Sequence, residues 1–151
     1  MYKLYIKLNS KNLLDLVLKD NNIYNYSCFY NKYGKPYLKN IDKYFSISHT
    51  KNISVCVISD KEIGVDIEYL RYNELVMKRM FNEKEIDLIK SSKNKEEMFT
   101  IIWTIKESYS KLLGLGLNYN FKNIDTFNLK NKISIRKYQN YIVTIVEDVE
   151  S

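Results

Sequence analysis

A short pattern occurs twice in this chain, and it limits the fold more than any other feature. An offset of 88 positions lays Ser46 on Ser134, Ile47 on Ile135, Asn52 on Asn140, Val55 on Val143, Val57 on Ile145 and Ile58 on Val146 without a gap. Each copy reads as two strands around a polar break, His49 to Asn52 in the first, the pattern of a β-hairpin. Two explanations are open. Hairpins of similar composition can match by chance, or the chain is an internal duplication of two α+β halves, 1–61 and 62–151, with the cleft between them as the natural ligand site. Apolar spacing predicts helices near 73–80, 83–91 and 95–113 between the hairpins, and a strand over 63–68 before them. An N-terminal strand over 2–8, a helix over 11–19 opened by Asn9-Ser10, and a turn at Tyr33-Gly34-Lys35-Pro36 complete an α+β pattern.

Composition narrows the class. At 151 residues the chain suits one domain, and 14 Tyr and 6 Phe beside a single Pro argue against disorder. A net charge of +6 favours anionic partners, although the lysines are spread over the whole length. Cys28 and Cys56 belong to no CxxC pair, so neither zinc nor a redox motif is indicated. The N-terminus alternates like a strand and no long apolar run exists, so a soluble cytoplasmic protein is expected.

The helix over 95–113 is unusual in what it carries. If Ile105 marks the core direction, then at about 100° per residue Met98, Ile101, Ile102, Tyr109 and Leu112 share its face. Trp103, Glu107, Ser110 and Lys111 take the opposite face, and Gly114 ends the helix as a left-handed cap. A plain solvated face with a Glu107–Lys111 pair is one reading. The alternative is a functional face, and it depends on what packs there.

In the strand over 63–68, alternation puts Asp66 and Glu68 together, opposite Val65 and Ile67. An edge strand facing water would carry such a pair as solvated charges. A hard divalent cation is the other reading, because Mg²⁺ takes carboxylate oxygens together with phosphate and water. Glu107 supplies a third carboxylate if its helix packs on this strand. His49, the only histidine, sits in Ser46-Ile47-Ser48-His49-Thr50, either a structural residue or part of a phosphate-binding strand end.

Taken in order, Gly34-Lys35-Pro36, then Phe45 to Thr50, then Ile63-Gly64-Val65-Asp66-Ile67-Glu68, then Trp103-Thr104-Ile105-Lys106-Glu107-Ser108-Tyr109-Ser110-Lys111 with Gly114-Leu115-Gly116-Leu117 resembles the 4′-phosphopantetheinyl transferases of the Sfp type. The resemblance covers about residues 33–117 and implies two pseudo-symmetric α+β halves with the active site between them. It implies transfer of the phosphopantetheine arm of coenzyme A to a serine of an apo acyl or peptidyl carrier protein, with Mg²⁺ as cofactor. By resemblance Asp66, Glu68 and Glu107 hold the metal, and Glu107, Lys111 and Asp66 are catalytic. Lys35, Ser48, His49, Lys106 and Lys111 are the expected coenzyme A contacts. A monomer is implied, with neither nucleic acid nor membrane as partner. The stretches before Gly34 and after Leu117 are shorter than in Sfp-type members, with Lys3, Lys7 and Lys11 as the basic residues at hand. Two rival readings are a relative that binds coenzyme A or carrier protein without transfer, and a basic nucleic-acid-binding module.

Overall fold

The computed structural model describes residues 1–9, 11–116 and 120–149. Ser10 and Leu117, both part of the expectations above, lie outside the described residues. The elements in chain order are β1 (Tyr2–Leu8), α1 (Leu13–Asp20), β2 (Cys28–Tyr30), β3 (Pro36–Leu38), β4 (Tyr44–Thr50), β5 (Ile53–Ser59), β6 (Ile63–Tyr69), α2 (Glu74–Met80), α3 (Glu83–Ser91), α4 (Lys95–Leu113), β7 (Ile133–Tyr138) and β8 (Tyr141–Glu147). A 3-10 turn at Phe121–Asn123, unforeseen in the sequence, lies between α4 and β7.

The helices begin and end where local chemistry dictates. Asn73, Asn82 and Asn94 each accept a backbone N–H two or three residues into α2, α3 and α4, and Asn82 forms a reciprocal capping box with Glu85. Gly114 stops α4 at φ 67°, a left-handed conformation that suits glycine. The turn at Tyr33 to Pro36 joins β2 to β3 as a small antiparallel pair.

The larger strands form two three-stranded antiparallel sheets, ordered β1-β5-β4 and β6-β8-β7. The offset seen in the sequence carries one sheet onto the other in register. The pair Phe45↔Ile58 falls on Ile133↔Val146, and Thr50↔Ile53 falls on Tyr138↔Tyr141. The third strands agree as well, Tyr2 facing Ser59 in β1 and Ile63 facing Glu147 in β6. The fold is the expected α+β arrangement of pseudo-symmetric sheets.

Three clusters form the core. Ile53, Val55 and Val57 of β5 pack with Ile63, Val65 and Ile67 of β6 and Val143 and Ile145 of β8, filling the space between the sheets. Behind the first sheet Val17 and Leu18 of α1 close on Cys56 and Ile58. Met77, Phe81, Ile89, Phe99 and Ile102 tie α2 and α3 to α4. Each such fully buried side chain contributes about 1.5 to 3 kcal/mol relative to exposure.

Between β4 and β6 the sheets meet edge to edge through side chains. The Val65 and Ile67 N–H groups of β6 donate to the hydroxyls of Ser46 (3.1 Å) and Ser48 (3.2 Å) on β4. Two serines thereby satisfy donors that a ladder would otherwise pair, since a buried unpaired N–H is costly.

Candidate active site

Helix α4 is buried on two sides, and the expected stripe is not the side that meets the sheet. Ile102, Ile105 and Leu112 are buried, but Met98, Ile101 and Tyr109 are only half-buried. The sheet side is a line of small hydroxyl residues, Thr100, Thr104 and Ser108, at helical i,i+4 spacing. Thr104 shares a hydrogen bond with Thr144 (2.7 Å), and Ser108 donates to the Thr144 carbonyl (2.8 Å). Gly64 makes this approach possible: a Cβ there would lie 1.9 Å from the Ser108 carbonyl oxygen. The spacing of those hydroxyls and the lone glycine in a strand are the signals that could have revealed the interface.

With the small residues against the sheet, Glu107 and Lys111 reach the edge of β6, where Asp66 is 4% exposed. Ser48 donates to Asp66 Oδ1 (2.9 Å), and Lys111 Nζ lies 3.5 Å from the same oxygen while bonding the Ile47 carbonyl (3.2 Å). The second carboxylate oxygen of Asp66 is buried and has no hydrogen-bond partner. Burial pushes Asp66 up to about 7; Glu68 and Glu107 push the same way, and Lys111 and the Ser48 hydrogen bond oppose them. Burial also raises Glu107, with Glu68 adding to the effect and Lys111 and Arg71 opposing it. Three carboxylates thus repel one another at one edge, beside one lysine.

The donor set bears directly on a hard divalent cation. Among the described residues no three His, Cys, Asp or Glu side chains are drawn together as a finished cage. Mg²⁺ does not need one, because it usually keeps one or two carboxylates plus phosphate and water. An orphaned carboxylate oxygen and two carboxyls raised first by burial and then by neighbouring carboxylates fit such an ion, since a cation would pair the oxygen and offset the negative charge.

A cavity of about 360 Å³ adjoins this edge, lined by Tyr33, Lys35, Phe45, Ile47, Glu107 and Lys111 among others, with Phe121 on its wall. Ile47 also borders a second cavity of about 450 Å³, lined by Lys11, Tyr26 and His49.

The other expected site residues are distributed unevenly. Glu68 is half-buried and accepts a hydrogen bond from Trp103 Nε1 (3.2 Å). Trp103 itself stacks among Phe81, Phe99 and Phe121, on the α2–α3 side of the helix. Lys35 lines the first cavity, but its ammonium is bonded to Glu62 (3.0 Å) and to the Leu112 carbonyl at the end of α4 (3.0 Å). The motif pairs Ser48 with His49 as coenzyme A contacts, yet strand alternation separates them: Ser48 points inward to Asp66 and β6, and His49 is exposed. Ser48 supports Asp66 through this hydrogen bond.

Lys106 is the clear correction. The resemblance puts it at coenzyme A, but it is fully buried and turned to the far side of α4, paired with Glu85 (2.8 Å) and donating to the carbonyls of Phe121 (2.7 Å) and Ile124 (2.6 Å). The cause is helical geometry, since position 106 lies about 140° around the helix from Lys111.

Two sheets of one topology, joined at an edge that gathers three carboxylates and a lysine beside a cavity, define an α+β protein with its acidic site between two related halves. The model of the 4′-phosphopantetheinyl transferase superfamily matches residues 62–146, and the chain belongs to that superfamily. It is 37% identical over 90 residues to the 4′-phosphopantetheinyl transferase gsp of Aneurinibacillus migulanus, covering 58% of this chain and 38% of that protein. It is 33% identical over 105 residues to a 4′-phosphopantetheinyl transferase of Bacillus subtilis, covering 67% of this chain and 46% of that one. The chain therefore spans less than half the length of these curated relatives. The crystal structure of Thermotoga maritima holo-(acyl-carrier-protein) synthase shares the fold, with a TM-score of 0.50 at 21% identity over 57% of this chain and 61% of that chain.

Proposed function

We propose that this protein transfers the 4′-phosphopantetheine arm of coenzyme A to a serine hydroxyl of an apo acyl or peptidyl carrier protein, releasing adenosine 3′,5′-bisphosphate. The observation that carries this reading is Asp66: a buried carboxylate with one oxygen orphaned, 3.5 Å from Lys111 and within electrostatic reach of Glu107, both of which line a cavity. Family membership gives the reaction class. The whole chain acts as one transferase domain with halves 1–61 and 62–151, a cytoplasmic monomer that uses neither nucleic acid nor membrane. Among the described residues no helix is long and apolar enough to cross a membrane.

A magnesium ion held by Asp66, Glu68 and Glu107 would neutralise charge on the pyrophosphate. The rest of the chemistry belongs to the side chains. Glu107, raised by burial, is the better base for it and takes the proton of the carrier serine. Lys111 has a third of its side chain exposed and supplies positive charge for the departing phosphate. Lys35 and the exposed His49 serve the nucleotide end, each beside a cavity. A net charge of +6 draws in an acidic carrier protein, an effect that fades with salt.

The test is intact-mass spectrometry of an apo carrier protein mixed with this protein, coenzyme A and Mg²⁺, with a chelator control. A metal-dependent gain of one phosphopantetheine is expected. Coenzyme A binding without any gain, across several carriers, would leave a binding relative in its place.

A further inference from the structure

The buried ion pair that removed Lys106 from the cavity organises another part of the molecule. Glu85 and Lys106 are both 0% exposed, and every polar atom of the pair is used. Glu85 Oε1 accepts from the Asn82 N–H (2.9 Å) and from Lys106, and Oε2 accepts from the N–H (3.0 Å) and hydroxyl (2.7 Å) of Thr126. Lys106 spends its other two donors on the carbonyls of Phe121 and Ile124. Five hydrogen bonds and one ion pair thus join the N-cap of α3, the middle of α4 and the segment 120–126. That segment holds one 3-10 turn, with Ile124 as its buried side chain, and Asp125 adds a further hydrogen bond to Asn82 at the same α3 N-cap.

What the segment does follows from Phe121. Its ring forms part of the wall of the 360 Å³ cavity and packs on Trp103 with centroids 5.4 Å apart. The Trp103 indole donates to Glu68. The carbonyl of the same Phe121 is the one that Lys106 grips.

We propose that Glu85 and Lys106 are positioning residues that fasten segment 120–126 as a strap, setting the Phe121 wall of the cavity and, through Trp103, the orientation of Glu68. The pair touches neither the cavity nor its contents and acts only through the strap. The reading rests on the proposed function in one respect, the choice of coenzyme A as the molecule that fills the cavity.

The experiment compares Lys106→Met and Phe121→Ala with the unaltered protein. Three readouts are taken: hydrogen exchange of the Thr126 amide, emission of the lone Trp103, and KM for coenzyme A against kcat. Lys106→Met is expected to speed Thr126 exchange at least about tenfold and to shift Trp103 emission. It should also raise KM about tenfold while lowering kcat much less. Phe121→Ala, which leaves the pair intact, should raise KM similarly and keep Thr126 protected. Unchanged exchange and emission in Lys106→Met would overturn the proposal. So would a fall in kcat of about a hundredfold at constant KM, the mark of a lysine acting directly on phosphate.

Breaking one partner of a buried pair can unfold a protein, and replacing both by apolar residues often does not. If Lys106→Met fails to fold, Glu85→Met/Lys106→Met takes its place. Native Thr126 protection and native KM in that double variant would overturn the strap, and their loss in a folded protein would support it. If the unaltered protein neither binds nor turns over coenzyme A, the transferase reading falls. The exchange and emission results still decide the strap.

Discussion

The two sheets share strand order and register, but only one of them is armed. Superposing their ladders sets β1 on β6 with Tyr2 at Ile63, so Lys3 falls at Gly64, Tyr5 at Asp66 and Lys7 at Glu68. Tyr5 donates its hydroxyl to Asp20 and packs beside the core under α1. Asp66 is buried with an orphaned oxygen. The helices differ in the same way: α1 has 8 residues and lies behind β5, whereas α4 has 19 and presses on β6. Two features separate the sheet that carries the acidic edge from the one that does not, a glycine that admits a helix and a helix long enough to bring Glu107 and Lys111 to the strand.

The largest effect that tests this difference is on turnover. Asp66→Ala should reduce transfer to an apo carrier at least about 100-fold, the scale of losing a group that stabilises charge in the transition state. Its circular dichroism should stay native, and Tyr5→Phe at the matching position should remain within about twofold. Comparable losses from both would mean that the halves share the chemistry. Full activity in Asp66→Ala would remove Asp66 from the site.

Much of this division is legible in the sequence. The offset of 88 found both hairpins, and their ladders repeat in register. Alternation grouped Asp66 with Glu68, and the motif resemblance joined them to Glu107 and Lys111, whose charges do act on one another. Expectation and structure part where periodicity was set aside or was uninformative. Ser48 and His49 are neighbours in sequence and so face opposite sides of a strand, which alternation alone foretells. Lys106 adjoins Glu107 in the motif but lies about 100° away around the helix. The partner that buries it, Glu85, is 21 positions earlier and reads as an ordinary capping-box glutamate. Single-sequence patterns hold no information about such a partnership.

Gly64 offers the next contrast. A methyl group there meets the Ser108 carbonyl oxygen at 1.9 Å and the Leu112 nitrogen at 2.8 Å, both backbone atoms that cannot turn aside. Gly64→Ala should therefore cost at least the about 1 to 3 kcal/mol usual for overpacking, read as a lower midpoint in urea. Lys3→Ala, at the matching exposed position, should stay within about 0.5 kcal/mol. A tolerated alanine at 64 would show that α4 can lift off the strand.

Acid titration gives a third, graded test on the metal-free protein. Folding raises the Asp66 carboxyl from 3.8 to about 7, so below about pH 4 both folded and unfolded states hold the proton and folding carries no penalty. As pH rises the unfolded state releases its proton first, and stability declines until the folded carboxyl ionises near 7. A tenfold change in proton affinity is worth about 1.4 kcal/mol, so a decline of a few kcal/mol is expected between about pH 4 and 7. Glu107 adds to it in the same direction. Asp66→Asn should flatten the profile and stabilise the protein at about pH 8, while Mg²⁺ should restore stability to the unaltered protein. The matching Tyr5 is raised from 10.0 and contributes nothing in this range. A profile unchanged by Asp66→Asn would mean that Asp66 is not the strained group.

The smallest effect separates the two hairpins themselves. The offset that defines the duplication puts Ser46 on Ser134, the same residue in the same register of β4 and β7. Their surroundings differ because β4 faces the partner sheet and β7 is the outer edge of its own. Ser46 accepts the N–H of fully buried Val65 at 3.1 Å. Ser46→Ala leaves that donor stranded, at a cost of about 1 to 3 kcal/mol. Ser134 is half-buried on the outer edge, and Ser134→Ala should change stability by no more than about 0.5 kcal/mol. Paired urea titrations read the difference directly. If both substitutions cost the same, the hydroxyl is a feature of the hairpin. If only Ser46 costs, the same residue has been given a task in one half alone, closing the seam on which Ser48 then holds Asp66.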